Sequence, residues 1–145
     1  MIQMNIQSQK SCTQNPVVQH LATTLLFTST DIYGEPLDRD YSYCDFAPAD
    51  LEKLYIEFQA FINKVEGLVT EKVGGDWETL EDFYLGWHSD GCVERDYIYT
   101  RNYHAVGFWE RGRWDESVGD ILDQAAKSQP EICCYVGGDN RLYIM

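Results

Sequence analysis

The chain is predicted to fold as α+β, with a small antiparallel sheet of about four to five strands packed against two or three helices. Three observations predict this. Apolar residues recur at spacings of three and four from Leu51 to Leu68 and again from Val118 to Ala125. Runs rich in β-branched and aromatic residues stand at 21–28, 97–100 and 106–109, and a hairpin pattern closes the chain from Glu131 to Met145. At 145 residues one core is sufficient. Residues 1–20 carry no acid and a single basic side chain, Lys10, so they are expected to form a mobile or loosely attached tail, with one domain over 21–145 and no linker within it.

The first element, LATTLLFT from Leu21 to Thr28, is not told from a short buried helix by its periodicity, and the turn formers that follow at once favour a strand. Ser29 to Pro48 holds Gly34, Pro36 and five acids against Arg39, the composition of a loop, with room for a short strand over Tyr41–Tyr43. The longest helix begins near Pro48 and presents Leu51, Leu54, Tyr55, Phe58, Phe61, Ile62, Val65 and Leu68 along one broad stripe, with Asp50 and Glu52 in the first turn where the helix dipole favours anions. Gly74-Gly75 breaks it. A second, shorter helix is expected over Thr79–His88, with Leu80, Phe83, Tyr84 and Trp87 on one face.

Tyr97–Thr100 and Val106–Trp109 then read as a strand pair reversing at Arg101-Asn102-Tyr103, where Asn102 is the residue best suited to a left-handed conformation. A third helix spans Trp114 to Ser128 and stops before Pro130. The final hairpin pairs Glu131–Val136 with Arg141–Met145 around Gly137-Gly138-Asp139-Asn140.

Charge limits what the chain binds. Its 24 acids against 11 Lys and Arg give a formal net charge of −13, which repels nucleic acid and steers the chain toward basic surfaces. The acids are clustered: eight lie in Ser29–Glu57 and seven in Gly74–Asp96, while the first 30 residues have none. Asp38, Asp40, Asp45, Asp76, Glu78, Glu81, Asp82 and Asp90 are the candidate residues of an acidic binding face. Ten tyrosines, six phenylalanines and four tryptophans are enough to fill a core poor in Ile and Leu, and they also suit an interface. Five cysteines, Cys12, Cys44, Cys92, Cys133 and Cys134, form no even disulfide set and no C-x-x-C pair, which favours a reducing compartment. No signal-peptide pattern opens the chain and no apolar run approaches the roughly 18 residues of a membrane span.

Catalytic patterns are absent. His20, His88 and His104 lack metal-ligand spacing, and a Cys92 or Cys134 pairing with His104 has no flanking signature. Glu81 and Asp82 are adjacent and diverge by about 100° on a helix. No phosphate-binding glycine loop is present. The chain is therefore assigned no catalytic residue, no metal and no cofactor.

The densest cluster of special residues is Thr100-Arg101-Asn102-Tyr103-His104-Ala105-Val106-Gly107-Phe108-Trp109-Glu110-Arg111. It is similar to a segment of small acidic proteins encoded by bacteriophages, in which a strand ends in T-R-N, Gly-His-Gly follows, G-F-W-D-R closes the hairpin and Y-V-G-D-D lies near the C-terminus. Thr100, Arg101, Asn102, His104, Gly107, Phe108, Trp109 and Arg111 match, as do Tyr135-Val136-Gly137 and Asp139; Tyr103 and Ala105 replace the two glycines. The resemblance implies a phage or mobile-element origin and no particular reaction.

Two uses of the cluster stand side by side. In the motif cluster of Arg101, Asn102, His104, Trp109 and Arg111, the first three with nearby aromatics could serve a small-molecule-binding or enzymatic protein, with Arg and His suiting an anionic ligand such as a nucleotide. Alternatively Arg101 pairs with Asp96 or Glu110 across the hairpin and His104 only satisfies a local hydrogen bond. Charge and resemblance together favour an inhibitor of a host defence system, a DNA mimic of the anti-CRISPR or anti-restriction kind. Its partner would be a host protein with a basic nucleic-acid-binding surface, with no direct nucleic acid and no membrane, in the cytoplasm of a bacterial host cell. A homodimer is compatible with this. A phage accessory protein acting by protein contacts alone is a further alternative.

Overall fold

The structure is a computed structural model that describes residues 13–85, 90–110 and 112–145. It is mostly helical, and its only regular sheet among the described residues is a two-stranded antiparallel hairpin. The expected sheet of four to five strands is therefore corrected. Four α-helices are described: α1 (Pro16–Phe27), α2 (Pro48–Lys72), α3 (Cys92–Arg101) and α4 (Glu116–Lys127), followed by β1 (Cys134–Val136) and β2 (Leu142–Ile144).

Two expected strands are helices for the same reason. In α1 the buried residues are Val18, Leu21, Ala22, Leu25 and Leu26, a stripe at helical spacing that starts before Leu21. Asn15 caps the helix by accepting from the Val17 N–H at 2.9 Å, and Pro16 sits at the position where a missing N–H costs nothing. Residues 16–20, placed by composition in a tail, thus supply the first turn of α1, and residues 1–12 lie outside those described. In α3 the buried set Val93, Asp96, Tyr97, Thr100 and Arg101 follows the same period, so the β-branched and aromatic content of Tyr97–Thr100 was outweighed by burial of a helical stripe.

The chain divides into two compact units, one of residues 1–56 with 132–145 and one of 57–131. The first, as described, holds α1, the start of α2 and the β1–β2 hairpin. Tyr41–Tyr43 contributes to a 3-10 turn, Tyr43–Asp45, and not to a strand. Cys134 pairs with Ile144, Tyr135 with Tyr143 and Val136 with Leu142. The hairpin is tied to the start of α2 by the Ala47 N–H donating to the Leu142 carbonyl at 2.8 Å and by the Ile144 N–H donating to Asp50 Oδ2 at 2.9 Å. Cys44 is disulfide-bonded, a pairing the odd cysteine count did not suggest, whereas Cys92, Cys133 and Cys134 carry free thiols.

The second unit is built on aromatic packing. Tyr97 of α3 lies 5.1 Å from Phe58 and 4.7 Å from Phe61 of α2 between ring centroids, and Phe108 bridges Phe61 at 5.8 Å to Trp114 at 5.4 Å. The helix expected over Thr79–His88 is only a 3-10 turn, Leu80–Phe83, and residues 86–89, with Trp87 and His88, lie outside those described. After it the chain runs extended beside 113–115, with the Leu85 N–H donating to the Arg113 carbonyl and the Asp115 N–H to the Phe83 carbonyl, both at 2.8 Å.

Val106–Trp109 is irregular and does not form the second strand of a pair. The reversal before it is a helix stop. The His104 N–H donates to the Tyr99 carbonyl at 2.8 Å and the Tyr103 N–H to the Thr100 carbonyl at 3.1 Å, the two bonds of a Schellman cap. Tyr103, not Asn102, takes the left-handed conformation at φ 58°, at the position where the T-R-N-G-H-G pattern carries glycine. The loop then folds back over the end of α3. Thr100 Oγ1 accepts from the Phe108 N–H at 2.9 Å, and a Cβ on Gly107 (φ 152°) would collide with that hydroxyl.

Candidate functional site

The candidate acids fall in both units. Asp38, Asp40 and Asp45 belong to the first; Asp76, Glu78, Glu81, Asp82 and Asp90 belong to the second. Asp38, Asp40, Asp76, Glu78, Asp82 and Asp90 are exposed, whereas Asp45 and Glu81 are half-buried. Asp40 shares Arg39 with Glu35, at 3.2 and 3.1 Å. Asp45 and Asp82 also have local work. Each closes a capping box, Asp45 accepting from the Ser42 N–H at 2.8 Å and Asp82 from the Thr79 and Glu78 N–H groups at 2.9 and 2.7 Å. Those backbone donors hold the Asp82 carboxyl below its ordinary range, so it stays charged in mild acid.

Around the start of α3 the acids crowd together. Buried Cys92 donates its thiol hydrogen to Glu81, and burial, followed by that bond and the charges of Glu81 and Asp96, drives the thiol's pKa far above its ordinary value. Cys134 is likewise raised, chiefly by burial. Neither thiol has the thiolate character a nucleophile needs. Glu94, half-buried in the first turn of α3, is pushed up to about 7, mainly by burial and then by the charges of Glu81 and Asp90. Among the described residues no group of three or more His, Cys, Asp and Glu is arranged to hold a metal ion.

Glu94 makes stability depend on pH in a defined direction. Its folded-state pKa lies above the ordinary 4.5, so the folded chain binds the proton more tightly and stability falls as pH rises from about 4.5 through 7. Glu94→Gln is expected to stabilise the chain by about 1–2 kcal/mol at pH 8, allowing for screening of a half-buried carboxylate, and to change nothing at pH 4. Thermal melts of both proteins at the two pH values check this, and an equal effect at both would contradict it.

Among the described residues the motif cluster is dispersed, and Trp109 lines a cavity of about 350 Å³ that Arg101, Asn102 and His104 do not line. Arg101 is fully buried and each of its three guanidinium nitrogens is engaged: Nε donates to the Pro130 carbonyl at 2.6 Å, Nη1 to the Tyr97 hydroxyl at 3.0 Å and Nη2 to Glu57 Oε1 at 3.2 Å. Its carboxylate partner is Glu57, and neither Asp96 nor Glu110 as expected. Asn102 caps α3. Half-buried His104 packs edge-on to Tyr99 at 5.7 Å. Trp109 is 50% exposed, and Arg111 lies outside the described residues.

Three polar residues of this unit have roles that the sequence reading did not assign to them. Asp96 is fully buried and accepts from Arg113 Nη2 at 2.6 Å, Trp114 Nε1 at 2.7 Å and Arg95 Nε at 3.5 Å. Glu57 and Gln129 complete the Arg101 network: Tyr97 donates its hydroxyl hydrogen to Gln129 Oε1, and Gln129 Nε2 donates to the Glu57 carbonyl at 2.9 Å. The signal available was the period of α3, which places Asp96 and Arg101 on the same stripe as Val93 and Tyr97. Among the described residues no helix is long and apolar enough to cross a membrane. No protein-family model, no curated protein and no solved structure matches the chain.

Proposed function

We propose that this protein binds, through its exposed carboxylates, a basic nucleic-acid-binding surface on a host protein, and acts as a phage or mobile-element inhibitor of host defence of the DNA-mimic kind. The observation that carries the reading is the exposure of Asp38, Asp40, Asp76, Glu78, Asp82 and Asp90 in a chain of net charge −13. Exposed carboxylates carry the charge that phosphates carry on a nucleic acid, and complementary charge speeds encounter and excludes other partners. The resemblance of the Thr100–Arg111 segment to phage proteins supports the same reading.

The alternative of an anionic ligand held by Arg101, Asn102 and His104 is disfavoured, because Arg101 already spends its charge on Glu57 and has no exposed surface. Contacts without mimicry retain one supporting observation: Ile32 and Tyr33, 91% and 83% exposed, ride on a turn in which Asp31 Oδ1 accepts from the Tyr33 and Glu35 N–H groups.

Affinity purification from bacterial lysate at low and high salt separates the two. The expected result is recovery of a nucleic-acid-binding protein at 50 mM salt and its loss at 500 mM, with nucleic acid competing for it. A variant carrying Asp76→Asn, Glu78→Gln and Asp90→Asn should lose most of that recovery. Partner binding indifferent to salt and to these substitutions would refute the mimic reading and favour contacts through the Ile32–Tyr33 turn.

A further inference from the structure

Within the second unit, the last turns of α2 and the middle of α4 enclose a groove of about 620 Å³. That volume lies inside the range of roughly 300–1,000 Å³ typical of small-molecule sites. Its floor is apolar, formed by Leu68 of α2 with Ile121 and Ala125 of α4. Leu68 is 40% exposed although it continues the apolar stripe of α2. Lys64 and Lys72 line the groove four residues before and after Leu68, so their Cα atoms are separated by about 12 Å along the helix axis. Lys64 Nζ lies 3.4 Å from Ser128 Oγ, beyond the end of α4.

The groove's charge is opposite to the molecule's. Two ammonium groups against one carboxylate, Glu71, give its lining a net +1 in a chain of −13. Lysine stems extend an apolar floor while their heads stay in water at its edge. We propose that this groove binds a free, monomeric amphiphilic carboxylate, with the apolar chain on Leu68 and Ile121 and the head group on Lys64 or Lys72.

Two effects compete over the sign of the ligand. The overall field repels anions, but it is screened over about 8 Å at physiological salt, whereas an ammonium–carboxylate hydrogen bond acts at contact and is strengthened by both charges. The same competition selects the head group. Long-range repulsion grows with ligand charge, so a monoanion suffers about half the penalty of a phosphate dianion for a similar contact.

The test titrates the intact protein with decanoate below its micelle threshold, with 1-decanol and decyltrimethylammonium as neutral and cationic analogues of equal chain length. Methyl NMR shifts of Leu68, Ile121 and Ala125 report the site. Decanoate is expected to bind tightest of the three and to move these methyls saturably. Lys64→Gln with Lys72→Gln should weaken decanoate about five- to tenfold and leave decanol unchanged. Leu68→Asp should weaken both. These are surface substitutions, and circular dichroism confirms the fold. Decanol binding as tightly as decanoate, tighter binding of the cation, shifts confined to other methyls, or no saturable shift would each overturn the proposal.

Discussion

Arg101→Ala is expected to destabilise the chain by about 3–5 kcal/mol, a large part of the roughly 5–15 kcal/mol that holds a domain of this kind together. The guanidinium is fully buried and joins three places: the Pro130 carbonyl after α4, the Tyr97 hydroxyl one turn earlier in α3, and Glu57 in α2. Its carbon also lies 5.9 Å from the Tyr97 ring centroid. Removing it leaves a carbonyl, a hydroxyl and a carboxylate without their donor and opens a cavity beside the Phe58–Phe61–Tyr97 cluster.

Glu57 moderates the loss, because its side chain is 30% exposed and water can take over part of its solvation. Arg101→Lys keeps the charge but places one ammonium where three acceptors lie in different directions, so about half of the loss should remain. Urea unfolding followed by circular dichroism measures both. A wild-type midpoint for Arg101→Ala would show that the buried network contributes nothing.

Asp96→Asn is expected to cost about 3 kcal/mol despite its near-identical shape, and Asp96→Ala rather more. Asp96 has no exposed surface, and its two oxygens accept from Arg113 and Trp114 at 2.6 and 2.7 Å. An amide presents one oxygen and one NH2 group, so one of those donors then faces another donor. Burial works against the Arg113 charge, yet the bond to Asp96 and its negative charge hold the guanidinium's pKa above the ordinary value. Without the carboxylate the guanidinium is left partly desolvated beside Tyr84. The indole N–H resonance of Trp114 reports the site directly: it should shift in Asp96→Asn in step with the lower urea midpoint. An unmoved resonance with unchanged stability would contradict the assigned bond.

Both substitutions fall on residues whose importance local pattern conceals. Asp96 and Arg101 look like surface charges in any short window, and Tyr97–Thr100 looks like a strand. The deciding quantity is burial over the ten residues of α3, whose stripe includes one carboxylate and one guanidinium. Helix and strand propensities differ by well under about 1 kcal/mol per residue, so packing of such a stripe readily overrides them. The acidic candidates were easier to place. Exposed Asp38, Asp76, Glu78 and Asp90 stand at the surface as their charge demands, whereas Glu81 is half-buried because the turn at Leu80–Phe83 lies beside α3.

By itself the sequence determined α2, α4 and the closing hairpin. Leu51 to Leu68 and Val118 to Ala125 repeat at the helical period, Gly74-Gly75 and Pro130 stop the helices, and Gly137–Asn140 turns the last two strands, all through interactions within a few residues. It also determined the uneven acidity. Tertiary structure decided that burial of a helical stripe outweighs the strand-like composition of α1 and α3, that the Thr100–Gly107 segment caps a helix, and that Arg101 serves the core. The physical reason is range: the carboxylate that claims Arg101 lies 44 residues away, and no local periodicity encodes a partner at that distance.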